Sequence, residues 1–495
     1  MPGDRHHADA AAGNVHATSA AIQALADALT GRAKHERILL RAAAGAGKSY
    51  ALKRMVGHSL SVSGCGRVGV TAFTNKQLYP LAQDLGNLLG RERVCLFAAK
   101  DRIGEISDSV KSAAVVVCAA KDIPLDAQVV VGTTHKLGGF GQSHLRKHLG
   151  PARDGKHLFD VLFIDEAWQL PLHRYAAINS LAPIDVGVGD VGQLPPLDPG
   201  ENPWRGDRTY NPFRAWPTAF EGDATSWFVD LPAVWRPTEA QLELWRAFYT
   251  DWEALDCVAG PGDRSVKLGR LRGHAATIWK QVATGVPTLV EVAGLEEADA
   301  ADIDPPLLAV VEDWLAALLQ GGFAIADTRF DDFGCPECKT EVSSDEPEGR
   351  TLIAMLATRN QAVDDAQAVA DRLTKRFNLH PGAVVASTVD SWQGQTNAIT
   401  VAIHPLSGAS SLDAFNSAFG RLAVTCTRAT HGLLLVSRVG LNDLLAAAPA
   451  RPGTPLGEPG NRQLPRQTHG RILNTFARAV VDMSPANCSS HLRSG

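Results

Sequence analysis

The sequence predicts an α/β protein with two parallel-sheet domains, and three observations carry the prediction. Short β-branched runs are apolar on both faces, as strands buried inside a parallel sheet are. Segments of helical spacing such as Val363–Phe377 lie between them, the alternation that builds βαβ units. The runs fall into two clusters: Ile38–Arg41, Val68–Ala72, Val129–Gly132, Val161–Ile164 and Val186–Gly189, then Leu352–Ala357, Val384–Ser387, Ile399–His404 and Leu433–Ser437.

The chain length of 495 residues suits several domains, and 45% hydrophobic with 20% charged residues suits a globular chain. The formal charge of −5 excludes a polycation, so any nucleic-acid contact must come from a local groove. No apolar stretch is long enough for a transmembrane helix, and the start MPGDRHHADAAAGNVHATSA has no apolar signal core. Eight cysteines in a chain of this size read as reduced thiols of a cytoplasmic protein. Residues 1–17 are expected to be disordered, and 446–495, rich in Pro, Gly and Arg, to form a flexible tail.

The first strand runs into AAAGAGKS, residues 42–49, and then into a helix. This is Walker A spacing with Ala42 at the first glycine position. Gly45 and Gly47 let the loop turn tightly, and with Ala46 they aim backbone N–H groups at phosphate oxygens. The helix N-terminus adds its dipole. Lys48 would reach the β/γ-phosphates and Ser49 would bind Mg²⁺. The fourth strand ends in Asp165-Glu166, where Asp165 would hold Mg²⁺ and Glu166 would act as general base on water. The fifth leads into GDVGQLPP, which sets Asp190 and Gln193 at a strand's carboxyl end, with Gln193 as a γ-phosphate sensor.

With these residues in place, the chain resembles superfamily 1 helicases, most closely the branch of RNA-surveillance helicases and replication nuclease-helicases, with some RecD-like features. The later segments follow in order: VGVTAFTNKQ, VVVGTTHKL, LPAVWRPT, STVDSWQGQT and RLAVTCTRATHGLLLVS. The resemblance implies two RecA-like P-loop domains with ATP and Mg²⁺ between them, an insertion and a flexible C-terminal tail. The divisions would be 18–235, 236–350 as linker and insertion, and 351–445. It implies that Arg236 and Arg428 offset charge on the transferred phosphoryl group. Gln23 matches an adenine-reading glutamine or is a solvated helix residue, and Trp235 stacks on adenine or packs in a core. Gly394 of WQGQ would border the nucleotide. Thr74, Asn75, Thr133, Thr134, Thr388 and Gln393 would grip a single strand of DNA or RNA, unless the hydroxyls merely cap strand ends. Thr396, Ala423 and Thr430 depart from the family's acidic, Asn and basic residues.

The expected activity is an ATP-driven helicase or translocase on single-stranded nucleic acid. The alternative is an ATP-switched module that grips nucleic acid or a protein without processive movement. Cys335-Pro336-Glu337-Cys338 is half a zinc-ribbon spacing with no second half, and reads as a surface turn with free thiols, zinc being the lesser alternative. The insertion and the tail are where a protein partner would dock; a membrane is not expected.

Overall fold

The computed structural model describes residues 5–484, apart from 73, 140, 193–195, 197–201, 205, 206, 208, 251, 253, 301, 302, 413–415, 417, 418 and 449–464. The chain divides into two compact units, Gly13–Pro232, and Met1–Ala12 with Ala233–Gly495.

The unit Gly13–Pro232 is built on one parallel sheet. Its strands are β1 (Arg37–Ala42), β2 (Val68–Thr71), β3 (Val94–Phe97), β4 (Val115–Val117), β5 (Val129–Val131), β6 (Val161–Asp165), β7 (Asp185–Asp190) and β8 (Ser226–Leu231). They lie in the order β4-β3-β5-β2-β6-β7-β1-β8. Every residue of β2, β5, β6 and β7 is buried, which is why these stretches read as continuous apolar runs rather than alternating ones. The order puts β7 between the strand that feeds the glycine loop and the strand that ends in the acid pair. Ala42 at the end of β1 is in register with Asp190 at the end of β7, and Asp165 on β6 with Val188 on β7. Three strand ends therefore meet at one edge.

The other unit begins with β9 (Ala233–Val234), β10 (Asp256–Cys257) and β11 (Arg264–Leu268). β12 (Thr288–Ala293) follows, then β13 (Phe323–Phe330), β14 (Pro336–Ser343), β15 (Ile353–Ala357), β16 (Val384–Thr388), β17 (Asn397–Ile403), β18 (Ala429–Arg438) and β19 (Ala477–Asp482). Its main sheet has the order β16-β15-β17-β18-β12-β19, all parallel, and β11, β13 and β14 form a small antiparallel sheet. Val290, Leu315, Ile353, Val369, Ile399 and Val436 are at the centre of its core.

Four expectations change. The stretch expected to be disordered forms the helix His7–Leu29. Its buried residues Ala10, Asn14, Ala17, Ala21, Ala24 and Leu25 repeat at helical spacing, but the stripe is mostly alanine and stands out weakly by hydropathy. The boundary falls at Pro232/Ala233 rather than 235/236. β12 lies inside the expected insertion yet is an interior strand of the second sheet. The expected flexible tail supplies the helix Pro465–Leu473 and then β19, which pairs with β12 along Thr288–Ala293. Among the described residues no helix is long and apolar enough to cross a membrane.

Candidate nucleotide site

The loop between β1 and the helix Lys48–Ser59 is a backbone nest. Gly45 has φ of +74° and Gly47 +96°, values that a side chain would strain. The Ala46 N–H donates to Ala43 O at 3.1 Å, and Ala46 itself is buried. Asn14 on the N-terminal helix donates from Nδ2 to Ala46 O at 2.9 Å and so braces the loop from behind. Nothing in the local motif announces Asn14. It became visible only when the preceding helix was placed.

Lys48 opens the helix, and its Nζ donates to Glu166 Oε1 at 2.7 Å. Burial alone would depress the lysine, but the carboxylates of Glu166, Asp190 and Asp165 outweigh it and hold the ammonium above its ordinary range. Asp165 is pushed up to about 6 by burial and then by the charge of Glu166, against the pull of Lys48 and of the Glu166 N–H. That N–H donates to Asp165 Oδ1 at 3.0 Å. Glu166 sits in the left-handed region at φ +51°, ψ +43°, a conformation uncommon for a side-chain-bearing residue and characteristic of constrained sites. Asp190, almost fully buried, accepts from the Gly192 N–H at 2.9 Å.

Three carboxylates around one half-buried lysine leave an excess of negative charge. A hard divalent cation takes oxygen donors, and the Asp165 carboxylate with the Ser49 hydroxyl would suit Mg²⁺. Ser49 is exposed on the first turn of the helix. No group of three or more His, Cys, Asp or Glu able to hold a metal occurs among the described residues, so the remaining positions of such an ion would be filled by phosphate and water.

The acid pair keeps its place because β7 carries glycines. A Cβ on Gly189 would lie 2.6 Å from Trp168 Cε3 and 2.9 Å from Ala167 N, and one on Gly187 would lie 2.8 Å from Trp216 Cζ2. The turn after Glu166 packs directly on the β7 backbone. This is the physical reason for the alternating glycines of IDVGVGD.

The other expected residues are distributed as follows. Gln193 lies outside the described residues. Gln23 is exposed and donates to Asp27 Oδ1 at 2.9 Å; nine residues from Asn14, it points from the opposite side of the helix to the one that meets the loop. Trp235 is half-buried and packs against the cluster of Ala10, Ala11, Ala233 and Val258, as its core reading has it. Arg236 and Arg428 are brought together: Arg236 Nη1 donates to Thr427 O at 2.8 Å, and Arg428 Nη2 to Thr427 Oγ1 at 3.0 Å. Arg428 Nε also donates to Val424 O at 3.0 Å, and the residue is buried.

Among the expected strand contacts, Thr74 is the exposed N-cap of the helix Asn75–Leu89, and Asn75 is its first residue. Thr133 caps the short helix Thr134–Leu137 by accepting from the Lys136 N–H, and Thr134 is buried. Thr388 ends β16 and accepts from the Ser391 N–H at 3.0 Å; Gln393 follows, half-buried, and Gly394 is exposed at φ +85°. Of the surface arginines, Arg146 bonds the carbonyls of Lys156 and Ser180, and Arg372 makes a two-pronged pair with Glu312. The CPEC stretch is not a turn. Asp331–Cys335 makes the turn, and Cys338 stands in β14 opposite Arg329. Both thiols are free and exposed.

No protein-family model matches the sequence, and no curated protein does. Helicases are among the solved structures that resemble the chain. With the complex of arterivirus nonstructural protein 10 (helicase) with DNA, identity is 13% and the TM-score 0.38, covering 86% of this chain and 64% of that one. With the PRRSV helicase, identity is 13% and the TM-score 0.37, covering 96% and 69%. With the DUF1998 helicase MrfA bound to DNA and AMPPNP, identity is 10% and the TM-score 0.44, covering 96% and 53%. The chain thus spans between about half and two thirds of the length of these proteins.

Proposed function

We propose that the chain hydrolyses ATP at the β1 loop and uses the cycle to move along or remodel single-stranded nucleic acid. The observation that carries the hydrolytic part is the contact of Lys48 with Glu166 at the mouth of a glycine nest, beside buried Asp165 and Asp190. Backbone N–H groups of Gly45 and Gly47 cradle the phosphates, joined by that of Ala46 when it leaves Ala43 O, and Lys48 exchanges its carboxylate partner for phosphate oxygens. Glu166, released from the lysine, takes a proton from the attacking water. Mg²⁺ held by Ser49 and Asp165 would neutralise phosphate charge. Arg236 and Arg428 belong to the reading as the positive charges that meet the transferred group.

The strand-binding part rests on the order of segments in the sequence and on exposed Thr74 and half-buried Asn75 at a helix N-terminus, a place suited to a phosphate. The test is steady-state ATPase without nucleic acid and with single-stranded DNA, single-stranded RNA and duplex DNA, with Lys48→Ala as control. Stimulation by one single strand supports the motor and names its track. A rate indifferent to all of them leaves an ATP-switched module and removes the strand contacts.

A further inference from the structure

Both carboxylate oxygens of Glu166 are held, and by different parts of the unit. Oε1 is held by Lys48 at 2.7 Å. Oε2 accepts from Gln169 Nε2 at 3.0 Å. Gln169 Oε1 in turn accepts from Gln77 Nε2 at 3.3 Å. Gln77 Oε1 accepts two donors of one residue, the Thr74 N–H at 3.0 Å and the Thr74 hydroxyl at 2.9 Å. A continuous chain of hydrogen bonds therefore runs from the phosphate loop to the exposed cap of the helix Asn75–Leu89.

We infer that Gln169 and Gln77 form a gate that holds Glu166 until a nucleotide and a strand are both bound. The inference rests on the proposed function, which puts ATP at Lys48 and a strand phosphate at Thr74. Two donors of Thr74 converge on one carboxamide oxygen, so Gln77 stands in for an anion at that cap. A phosphate oxygen is a charged and stronger acceptor than a carboxamide, and it displaces Gln77 from both donors. Gln77 then loses the bonds that fix its orientation, Gln169 loses its anchor at Oε1, and Oε2 of Glu166 is let go. Nucleotide phosphates release Oε1 by claiming Lys48. The Glu166 backbone does not move in this exchange, because its N–H stays on Asp165 Oδ1. The side chain is free to face water only after both releases. Gln169 and Gln77 act through Glu166 and are positioning residues.

Two variants of the full chain test this. Gln169→Leu removes the tether on Oε2. Gln77→Glu keeps an acceptor for both Thr74 donors, so the helix cap survives. It offers Gln169 Oε1 no donor, so Gln169 turns its amide toward residue 77 and leaves Glu166. ATPase is measured without nucleic acid and with saturating oligothymidylate or oligouridylate, alongside strand affinity by fluorescence anisotropy and thermal midpoints. In both variants the strand-free rate is expected to rise toward the strand-bound rate, so that the stimulation ratio falls about tenfold, the scale of one lost hydrogen bond. An unchanged ratio overturns the gate. A ratio that falls because the strand-bound rate drops makes Gln169 a support for catalysis and also overturns it. A wild-type rate indifferent to both strands refutes the strand part of the proposed function and the gate with it, and is read from the wild type alone. If Gln169→Leu does not fold, Gln77→Glu, at a half-exposed position with its cap intact, decides the matter.

Discussion

The carboxyl ends of the two large sheets differ in a few residues, and those residues decide the chemistry. In the first sheet β1 stops at Ala42 and the next helix starts at Lys48, which leaves Ala43–Gly47 as a loop between them. In the second, β15 stops at Ala357 and the next helix starts at Asn360, so Thr358 and Arg359 are all that separate them. β15 also lies between β16 and β17, the switch point where open α/β sheets bind ligands. A crevice is present there, lined among others by Asp304, Met355, Thr358, Asp365, His404 and Ser407. Part of its charge is spent: Asp304 is paired with Arg438, and burial depresses His404 to about 3 and keeps it neutral, so the crevice holds no cation for a phosphate among these lining residues. The first crevice keeps a lysine surrounded by three carboxylates. One architecture thus carries the proposed nucleotide site in one unit and a different strand end in the other, and the length of the loop together with a lysine among carboxylates makes the difference.

Four experiments press on that contrast. Lys48→Ala should lower ATP turnover at least about 10³-fold, because nothing else among the described residues at the first crevice supplies a mobile cation to the phosphates. Retained hydrolysis in a steady-state assay would move the site elsewhere, the second crevice being the first place to look. Arg428→Ala should bind ATP almost as the wild type does and turn it over about 10²–10³ times more slowly. Equal losses of nucleotide affinity and turnover would count against its role on the transferred group.

The third experiment concerns stability. Asp165 has a folded value near 6 against an ordinary 3.8. Such a group favours the fold below about pH 4 and opposes it as pH rises through 6. Asp165→Asn should therefore stabilise the nucleotide-free protein at pH 8, by up to about 3 kcal/mol, and leave it unchanged at pH 3.5. Denaturant unfolding at the two pH values reads this directly, and equal stabilisation at both would refute the charge argument. The fourth is Gly189→Ala, which puts a methyl group against Trp168 and the Ala167 N–H. It should cost about 2 kcal/mol of stability and lower turnover by shifting Glu166, while ATP affinity changes little. A variant with wild-type turnover would show that the turn after Glu166 can move without consequence.

Much of this was legible in the residues. β1, β2, β5, β6 and β7 were visible because both of their faces are buried, and Lys48, Asp165 and Glu166 because a phosphate loop needs fixed spacing. β12 was missed because TLVEVA carries Glu291 through the sheet, where the carboxylate is matched by Arg478 and by the N–H groups of Gly440 and Leu441. β8 and β19 are more exposed and lack the continuous apolar signal. Gln77 and Gln169 are 92 positions apart, and only the neighbourhood of β2 and β6 in the sheet brings them together. Local pattern reveals residues whose neighbours are close in sequence. It is silent about Asn14, Gln77, Gln169 and Gly189, whose partners come from other elements.

The late strand β19 has a practical consequence. It covers the outer edge of β12, and it is reached only after residues 449–464. A chain truncated ahead of Pro465, on the view that the tail is dispensable, would expose the free N–H and C=O groups of β12 as a template for pairing with other chains. Such a shortened protein would aggregate for a reason unrelated to its catalytic residues. An inactive truncation would then report on an unprotected sheet edge, not on a tail that takes part in the reaction.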